Sequence, residues 1–250
     1  MCHSDDSRPP AAPVSTGVAA RERLHLTSED GTRFMAHAAR PARPNGRGVV
    51  ILLDIRGLHA FYRELADLFA DAGFDAIAID YFGRTAESDE RDESAFEWQP
   101  HVGRTTPENI AMDTATAVGY LRALEDPPGA IFTVGFCFGG SNSWRQSGHE
   151  HGIAGAIGFY GGNPLERVGP WVKTMTAPLL MLLAGVDSTT PEEFAEFADQ
   201  VRAKGIEVES HTYEGAPHSF FDRSFDDHRA ACADAWQRIL DFTERLAPTR

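Results

Sequence analysis

Between residues 46 and 246 two hydrophobic patterns alternate along the chain. Short, nearly continuous apolar runs appear in "GRGVVILLD" (46–54), "DAIAID" (75–80), "AIFTVGF" (130–136), "IAGAIGFYG" and "APLLMLLAG". A run of this kind, apolar on both alternating faces, fits a strand buried inside a parallel sheet. Between them lie segments whose apolar residues recur every third or fourth position. "AFYRELADLFADAGF" places Phe61, Leu65, Leu68 and Phe69 on one helical face and stops at Gly73. "TPENIAMDTATAVGYLRAL" opens with Thr106 as N-cap, Pro107 at the first helical position and Glu108 in the first turn. "PEEFAEFADQVRAKG" reads as an amphipathic helix ending at Gly205, and a last helix is expected from about Phe225 to Leu246. "IEVESHTYEG" alternates like an outer strand. Upstream, "RLHLTSED" and "RFMAHAARP" flank Asp30-Gly31, a hairpin signal. Residues 81–105 are polar and read as one long loop.

Alternation of strand and helix from residue 46 onward predicts an α/β fold with a mostly parallel central sheet and helices on both faces. Such sheets carry their sites at the carboxyl ends of the strands. The proline-rich residues 1–17 are expected to form an extended or disordered tail, and residues 18–250 a single domain.

Charge and composition remove several function classes. The 250 residues carry 37 acidic against 23 basic side chains, a net charge of −14. That surface repels phosphate backbones and anionic bilayers, so neither nucleic acid nor membrane is expected as a partner. No stretch is apolar enough for a span, and the start "MCHSDDSRPPAAPVSTG" has no apolar core of a secretion signal. Cys2, Cys137 and Cys232 are too few and too scattered for a disulfide framework, which fits a reducing cytoplasm. No G-x-G-x-x-G or Walker loop is present, so no cofactor is expected. The two histidines of "GHEHG" lack the further ligands of a metal site and read as a surface loop; the charge run "ESDERDE" reads as a solvated face. The Cys2-His3 tail could fold back over the site or bind metal, with disorder as the default. A small molecule is the expected partner, with the chain a monomer or small homo-oligomer.

One stretch, "TVGFCFGGS" (133–141), sets Cys137 between Gly135 and Gly139 at a strand-to-helix junction. G-x-C-x-G is the cysteine form of a nucleophile elbow, where the glycines permit a tight turn and the sulfur stands at a helix N-terminus. Asp187 follows the apolar run "PLLMLLAGV", and His218 follows the next strand in "YEGAPHSF". The order Cys137, Asp187, His218 is that of nucleophile, acid and histidine in α/β-hydrolases. A free thiol is mostly protonated at neutral pH, so a histidine to take its proton and a carboxylate to orient that histidine make one chemical unit. The expected oxyanion donors are the backbone N–H groups of Phe138 and Ile55. Among the aromatics, Phe138, Tyr160 and Phe220 flank strand ends and are candidates for a pocket wall.

These residues resemble the dienelactone hydrolase family (carboxymethylenebutenolidase-like) of α/β-hydrolases. The resemblance spans residues 47–246 and rests on "GFCFGG", "AGVDSTTP", "YEGAPHSF" and "DYFGR". It implies a cofactor-independent hydrolase of esters or lactones, acting through a thioacyl-enzyme, on substrates that can carry a carboxylate. It also implies an acidic residue after the first central strand that pairs with the resting thiol. Here that residue is Asp54, where the family has glutamate. Of the two arginines that hold the substrate carboxylate in the family, one matches Arg84. The other is expected four residues past the histidine, a position held here by Asp222, with Arg223 one residue later. Arg56, beside Asp54, is a replacement cation, and His59 a further pocket candidate. Two other readings remain open: a thiol redox sensor using Cys137, and a non-catalytic scaffold of the same fold.

Overall fold

The structure is a computed structural model and describes residues 6–86, 91, 96–223 and 226–248. Strands β1 (Val18–Thr27) and β2 (Arg33–Pro41) form the expected hairpin. Gly31 at its turn has φ +82°, a conformation that favours glycine. The remaining strands are β3 (Arg47–Leu52), β4 (Asp75–Ile79), β5 (Ala130–Phe136), β6 (Gly155–Phe159), β7 (Leu179–Val186) and β8 (Val208–Pro217). They make one eight-stranded sheet of order β1-β2-β4-β3-β5-β6-β7-β8. Only the β1–β2 and β2–β4 pairs are antiparallel.

The helices are α1 (Ala60–Asp71), α2 (Trp98–Arg104), α3 (Pro107–Arg122), α4 (Phe138–Gln146), α5 (Pro164–Arg167), α6 (Pro191–Arg202) and α7 (Arg229–Leu246). Strand alternation sorts them into two layers. Leu180 and Leu182 of β7 face the core cluster that contains α1 and α7, joined through Phe69 and Trp236 with ring centroids 4.7 Å apart. Leu179, Met181 and Leu183 face the opposite cluster, where Trp144 of α4 packs on Phe194 and Phe197 of α6. Thr106 caps α3 by accepting from the Asn109 N–H, with Pro107 at the first position, as its sequence specifies. Among the described residues, no helix is long and apolar enough to cross a membrane.

Two stretches differ from the pattern-based expectation. Residues 81–105 are not one loop: a 3-10 turn runs over Tyr81–Arg84 and α2 over Trp98–Arg104. The reason is burial. Tyr81 and Phe82 are fully enclosed, and Phe96 stacks on His101, so this polar stretch has its own apolar anchors. Of the charge run at 87–93, only Arg91 lies within the described residues; it is buried against Asp80 at 2.8 Å. The last helix begins at Arg229, after a 3-10 turn at Asp226–His228, and Phe225 lies outside the described residues.

Residues 7–17 form no helix or strand but lie against the body. The Trp236 indole N–H donates to the Pro10 carbonyl at 2.9 Å, and the Thr16 N–H and hydroxyl both donate to the Asp71 carbonyl. Cys2 and His3 lie outside the described residues.

Candidate active site

The site is built by what each strand does at its carboxyl end. β5 ends at Phe136, paired with Phe159 of β6, and the chain reverses into α4 at Cys137. Cys137 has φ 56° and ψ −116°, a left-handed conformation that L-residues rarely adopt. Its N–H donates to the Phe159 carbonyl at 3.1 Å. The glycines have the role their spacing suggested. A Cβ on Gly135 would run into the Gly139 carbonyl, and one on Gly139 into the Leu52 and Leu53 carbonyls. Strand, elbow and helix can therefore pack this closely only without those side chains. Cys137 is half-buried at the N-terminus of α4.

β7 and β8 run parallel with Val186 paired to Pro217. One residue further on, that register sets Asp187 beside His218. A bulge between Ala184 and Val186 adjusts the register just before the site. The His218 N–H donates to the Val186 carbonyl at 3.1 Å, and the imidazole Nδ1 donates to Asp187 Oδ2 at 2.7 Å. Asp187 Oδ1 accepts from the Ser188 N–H at 2.6 Å. Burial pushes the Asp187 carboxyl up, but the His218 hydrogen bond and charge, helped by Ser188, bring it below the usual carboxylate range. Tyr160, with φ 36° at the end of β6, bridges the two halves of the site: its ring centroid lies 4.7 Å from that of His218. Phe220 packs against Tyr160 at 5.7 Å, so both form a buried aromatic wall behind the histidine.

The turn after β3 is pinned from two sides. The Tyr81 hydroxyl donates to the Leu53 carbonyl, and the Asp54 N–H donates to the Tyr62 hydroxyl at 3.1 Å. Asp54 is fully buried; its Oδ1 accepts from the Arg56 N–H at 2.8 Å and lies 3.7 Å from His59 Nε2. His59 is buried as well and caps α1 through the Phe61 N–H. Ile55 and Arg56 are half-buried on this turn. The Ile55 N–H meets no acceptor among the described residues. Phe138 opens α4, where a first-turn N–H has no intrahelical acceptor.

The two arginines expected to grip a carboxylate both have carboxylate partners within the protein itself. Arg84 is bound on all sides. Its Nε and Nη2 donate to the two oxygens of Asp113 at 2.8 and 2.7 Å, and its Nη1 donates to Asp30 at 2.6 Å and Thr32 at 3.1 Å. Ser28 also donates to Asp113. Burial works against the Arg84 charge, yet the two carboxylates hold its pKa above the usual arginine value. The Arg84 hydrogen bond pulls Asp30 down to about 2, while burial pushes Asp113 up against the same partner. Arg84 thus ties the β1–β2 turn to α3. Arg84→Met leaves Asp113 buried without its cation and should cost about 3 kcal/mol in urea unfolding. The preference between charged and neutral esters should not move.

Arg223 is paired on the outside of the protein. Its side chain is 55% exposed and pairs with Glu64 of α1 at 3.1 Å, while its N–H donates to the Arg8 carbonyl. Asp222, buried at the position where the family carries arginine, accepts from the Arg8 N–H at 3.2 Å. The N-terminal segment thus lies along the backbone at Asp222 and Arg223.

The model of the dienelactone hydrolase family matches residues 34–247, most of the chain. The chain belongs to the dienelactone hydrolase family. Among relatives of this family, a carboxymethylenebutenolidase of Pseudomonas putida is 29% identical over 241 residues, covering 91% of this chain and 96% of that protein. Carboxymethylenebutenolidase 1 of Cupriavidus pinatubonensis is 27% identical over 237 residues, covering 89% and 96%. In fold the chain is similar to a dienelactone hydrolase-like promiscuous phosphotriesterase from metagenomic libraries, with TM-score 0.74, 21% identity and coverage of 92% and 100%. It is also similar to an esterase of Pyrococcus furiosus, with TM-score 0.66, 14% identity and coverage of 96% and 97%. The fold is that of the α/β-hydrolases, and membership of the dienelactone hydrolase family makes the chain a hydrolase of that class.

One set of polar residues near the elbow went unread in the sequence. Ser141, Asn142 and Arg145 follow the apolar Phe138 at helical spacing in "FGGSNSWR", and the four line a cavity of about 120 Å³ facing the start of α3. The signal was three polar residues at i+3, i+4 and i+7 from Phe138, all buried on one side of the helix.

Proposed function

We propose that the protein hydrolyses small ester or lactone substrates with Cys137 as nucleophile, His218 as general base and Asp187 as the carboxylate that orients it. The observation that carries this reading is the 2.7 Å His218–Asp187 hydrogen bond, set by strand register at the same end of the parallel sheet as a left-handed elbow cysteine. With Nδ1–H committed to Asp187, the other ring nitrogen is the one able to take the thiol proton. Cys137 Sγ attacks the carbonyl carbon as His218 accepts that proton. The carbonyl oxygen becomes an oxyanion facing the Phe138 and Ile55 N–H groups. The C–O bond then breaks, and His218 returns the proton to the leaving alkoxide. For a lactone the ring opens and the alcohol stays on the acyl group. Water, deprotonated by His218, attacks the thioester; the acid leaves and the thiol is restored.

Tyr160 and Phe220 hold the histidine from behind, and Asp54 sets the turn that carries Ile55. Arg56, on the same turn, is the cation nearest in sequence to that donor. The redox alternative has less support. Cys232 is buried and donates to the Phe220 carbonyl at 3.3 Å, and burial pushes its thiol up to about 11, so it is a poor resolving partner.

The test is acid quenching of the enzyme during turnover of p-nitrophenyl acetate, followed by mass spectrometry of the Cys137 peptide. An acetyl group on that peptide, with a burst of p-nitrophenol, is expected. Turnover with no acyl group on Cys137 at any quench time would overturn the mechanism.

A further inference from the structure

The cavity beside the elbow has the composition of an anion site. It is lined by Thr105, Thr106 and Pro107 at the start of α3, by Phe138, Asn142 and Arg145 on α4, and by Arg167 at the end of α5. Arg145 is only 7% exposed, and its guanidinium is rigidly held. Nε and Nη2 both donate to the Arg167 carbonyl, at 2.9 and 2.5 Å, Nη1 donates to Asn142 Oδ1 at 2.6 Å, and Trp171 lies under the group at 4.7 Å. Those bonds use three of the five N–H donors an arginine carries.

Among the described residues, no carboxylate lies within ion-pair distance of Arg145 or Arg167. A buried cation is ordinarily paired. Here the second charge nearby is another arginine. Burial and the Arg167 charge pull the Arg145 guanidinium down to about 10, and exposed Glu108 offsets this only from a distance. The N-terminal end of α3, sixteen residues long and capped by Thr106, adds its positive dipole end to the same cavity.

We infer that this cavity is a binding site for a compact oxyanion, a carboxylate or phosphate group, held by Arg145 and Arg167 with Thr106 and Asn142 around it. Its volume is about 120 Å³, several times the roughly 30 Å³ share of one water, which suits such a group. The site is close to the elbow. Helical side chains lean toward the N-terminus, and the Arg145–Asn142 bond places the guanidinium near Asn142. Asn142 is four residues past Phe138, about 6 Å along the helix axis. An acid group three or four carbons from a reacting carbonyl spans that distance, so the oxyanion is either part of the substrate or a free anion acting beside it. The substrate alternative rests on the proposed hydrolysis; the binding site itself does not.

Two measurements test it. In thermal unfolding at constant ionic strength, sodium glutarate or inorganic phosphate should raise Tm by several degrees relative to sodium chloride. The rise should shrink in Arg167→Gln and grow in Glu108→Gln; both residues are exposed, so both variants should fold. No rise in the wild type, or an equal rise in Arg167→Gln, overturns the site. In the second, kcat/KM is compared for mono-p-nitrophenyl glutarate and its neutral methyl ester. A roughly tenfold loss in Arg167→Gln for the acid alone identifies the substrate as the source of the oxyanion. Equal kcat/KM values, with turnover of the neutral ester responding to added glutarate in the wild type and not in Arg167→Gln, identify a free anion. If neither ester is hydrolysed, the proposed hydrolysis fails, and the Tm series alone decides the anion site.

Discussion

Cys137→Ala should lower kcat for p-nitrophenyl acetate by about a millionfold, the scale on which an enzyme loses its covalent nucleophile. Alanine fits the elbow no worse than cysteine, because both carry a Cβ at the same φ of 56°. The variant should therefore fold with the wild-type Tm, and the loss belongs to chemistry. Under the proposed mechanism, what survives is substrate binding and the stabilisation assigned there to the Phe138 and Ile55 N–H groups. The measurement is steady-state hydrolysis with extended time courses on the purified variant, alongside its unfolding curve. Retained activity within tenfold of wild type would remove Cys137 from the mechanism.

Asp187→Asn is the second large effect, a drop in kcat of about ten-thousandfold with the fold intact. The carboxylate now accepts the His218 Nδ1–H at 2.7 Å and also holds the Ser188 N–H. An asparagine that keeps the Ser188 contact through its oxygen turns its NH2 toward Nδ1, which favours the other tautomer and, in the proposed mechanism, takes away the ring nitrogen that accepts the Cys137 proton. The pH behaviour follows from the sign of the Asp187 shift. Its folded pKa lies below the usual carboxylate value. Its contribution is therefore complete above that usual value and is lost only as pH falls through the lower, folded one. The carboxylate stays ionised across the working range, so the loss in Asp187→Asn should be similar at about pH 5 and about pH 8. A loss that vanished at the acid end would mean that Asp187 is already protonated there, against the direction of its shift.

The local patterns could be read from residues a few positions apart. The apolar runs at 46–54, 75–80 and 130–136 gave the central strands, and Thr106-Pro107 gave the start of α3, because strand burial and helix capping act within one element. The long stretch after Asp80 misled, because its anchors Tyr81, Phe82 and Phe96 are single aromatics set in polar surroundings. Periodicity has nothing to report from isolated residues.

The charged groups show the limit most clearly. Arg84 matches a substrate-binding arginine by local motif, yet its partners, Asp30 and Asp113, lie 54 and 29 residues away. Arg145 belongs to no such motif, yet among the described residues no carboxylate lies within ion-pair distance of this buried cation. By itself the sequence determined the alternation of strand and helix, the glycine-flanked elbow at Cys137 and the chain order of Cys137, Asp187 and His218. Each follows from backbone requirements that act over a few residues, repeated at successive strand ends. Only the tertiary structure decided which arginine is neutralised and which faces a cavity. Ion pairing depends on which distant elements meet and how far they exclude water, and neither is encoded in any short window.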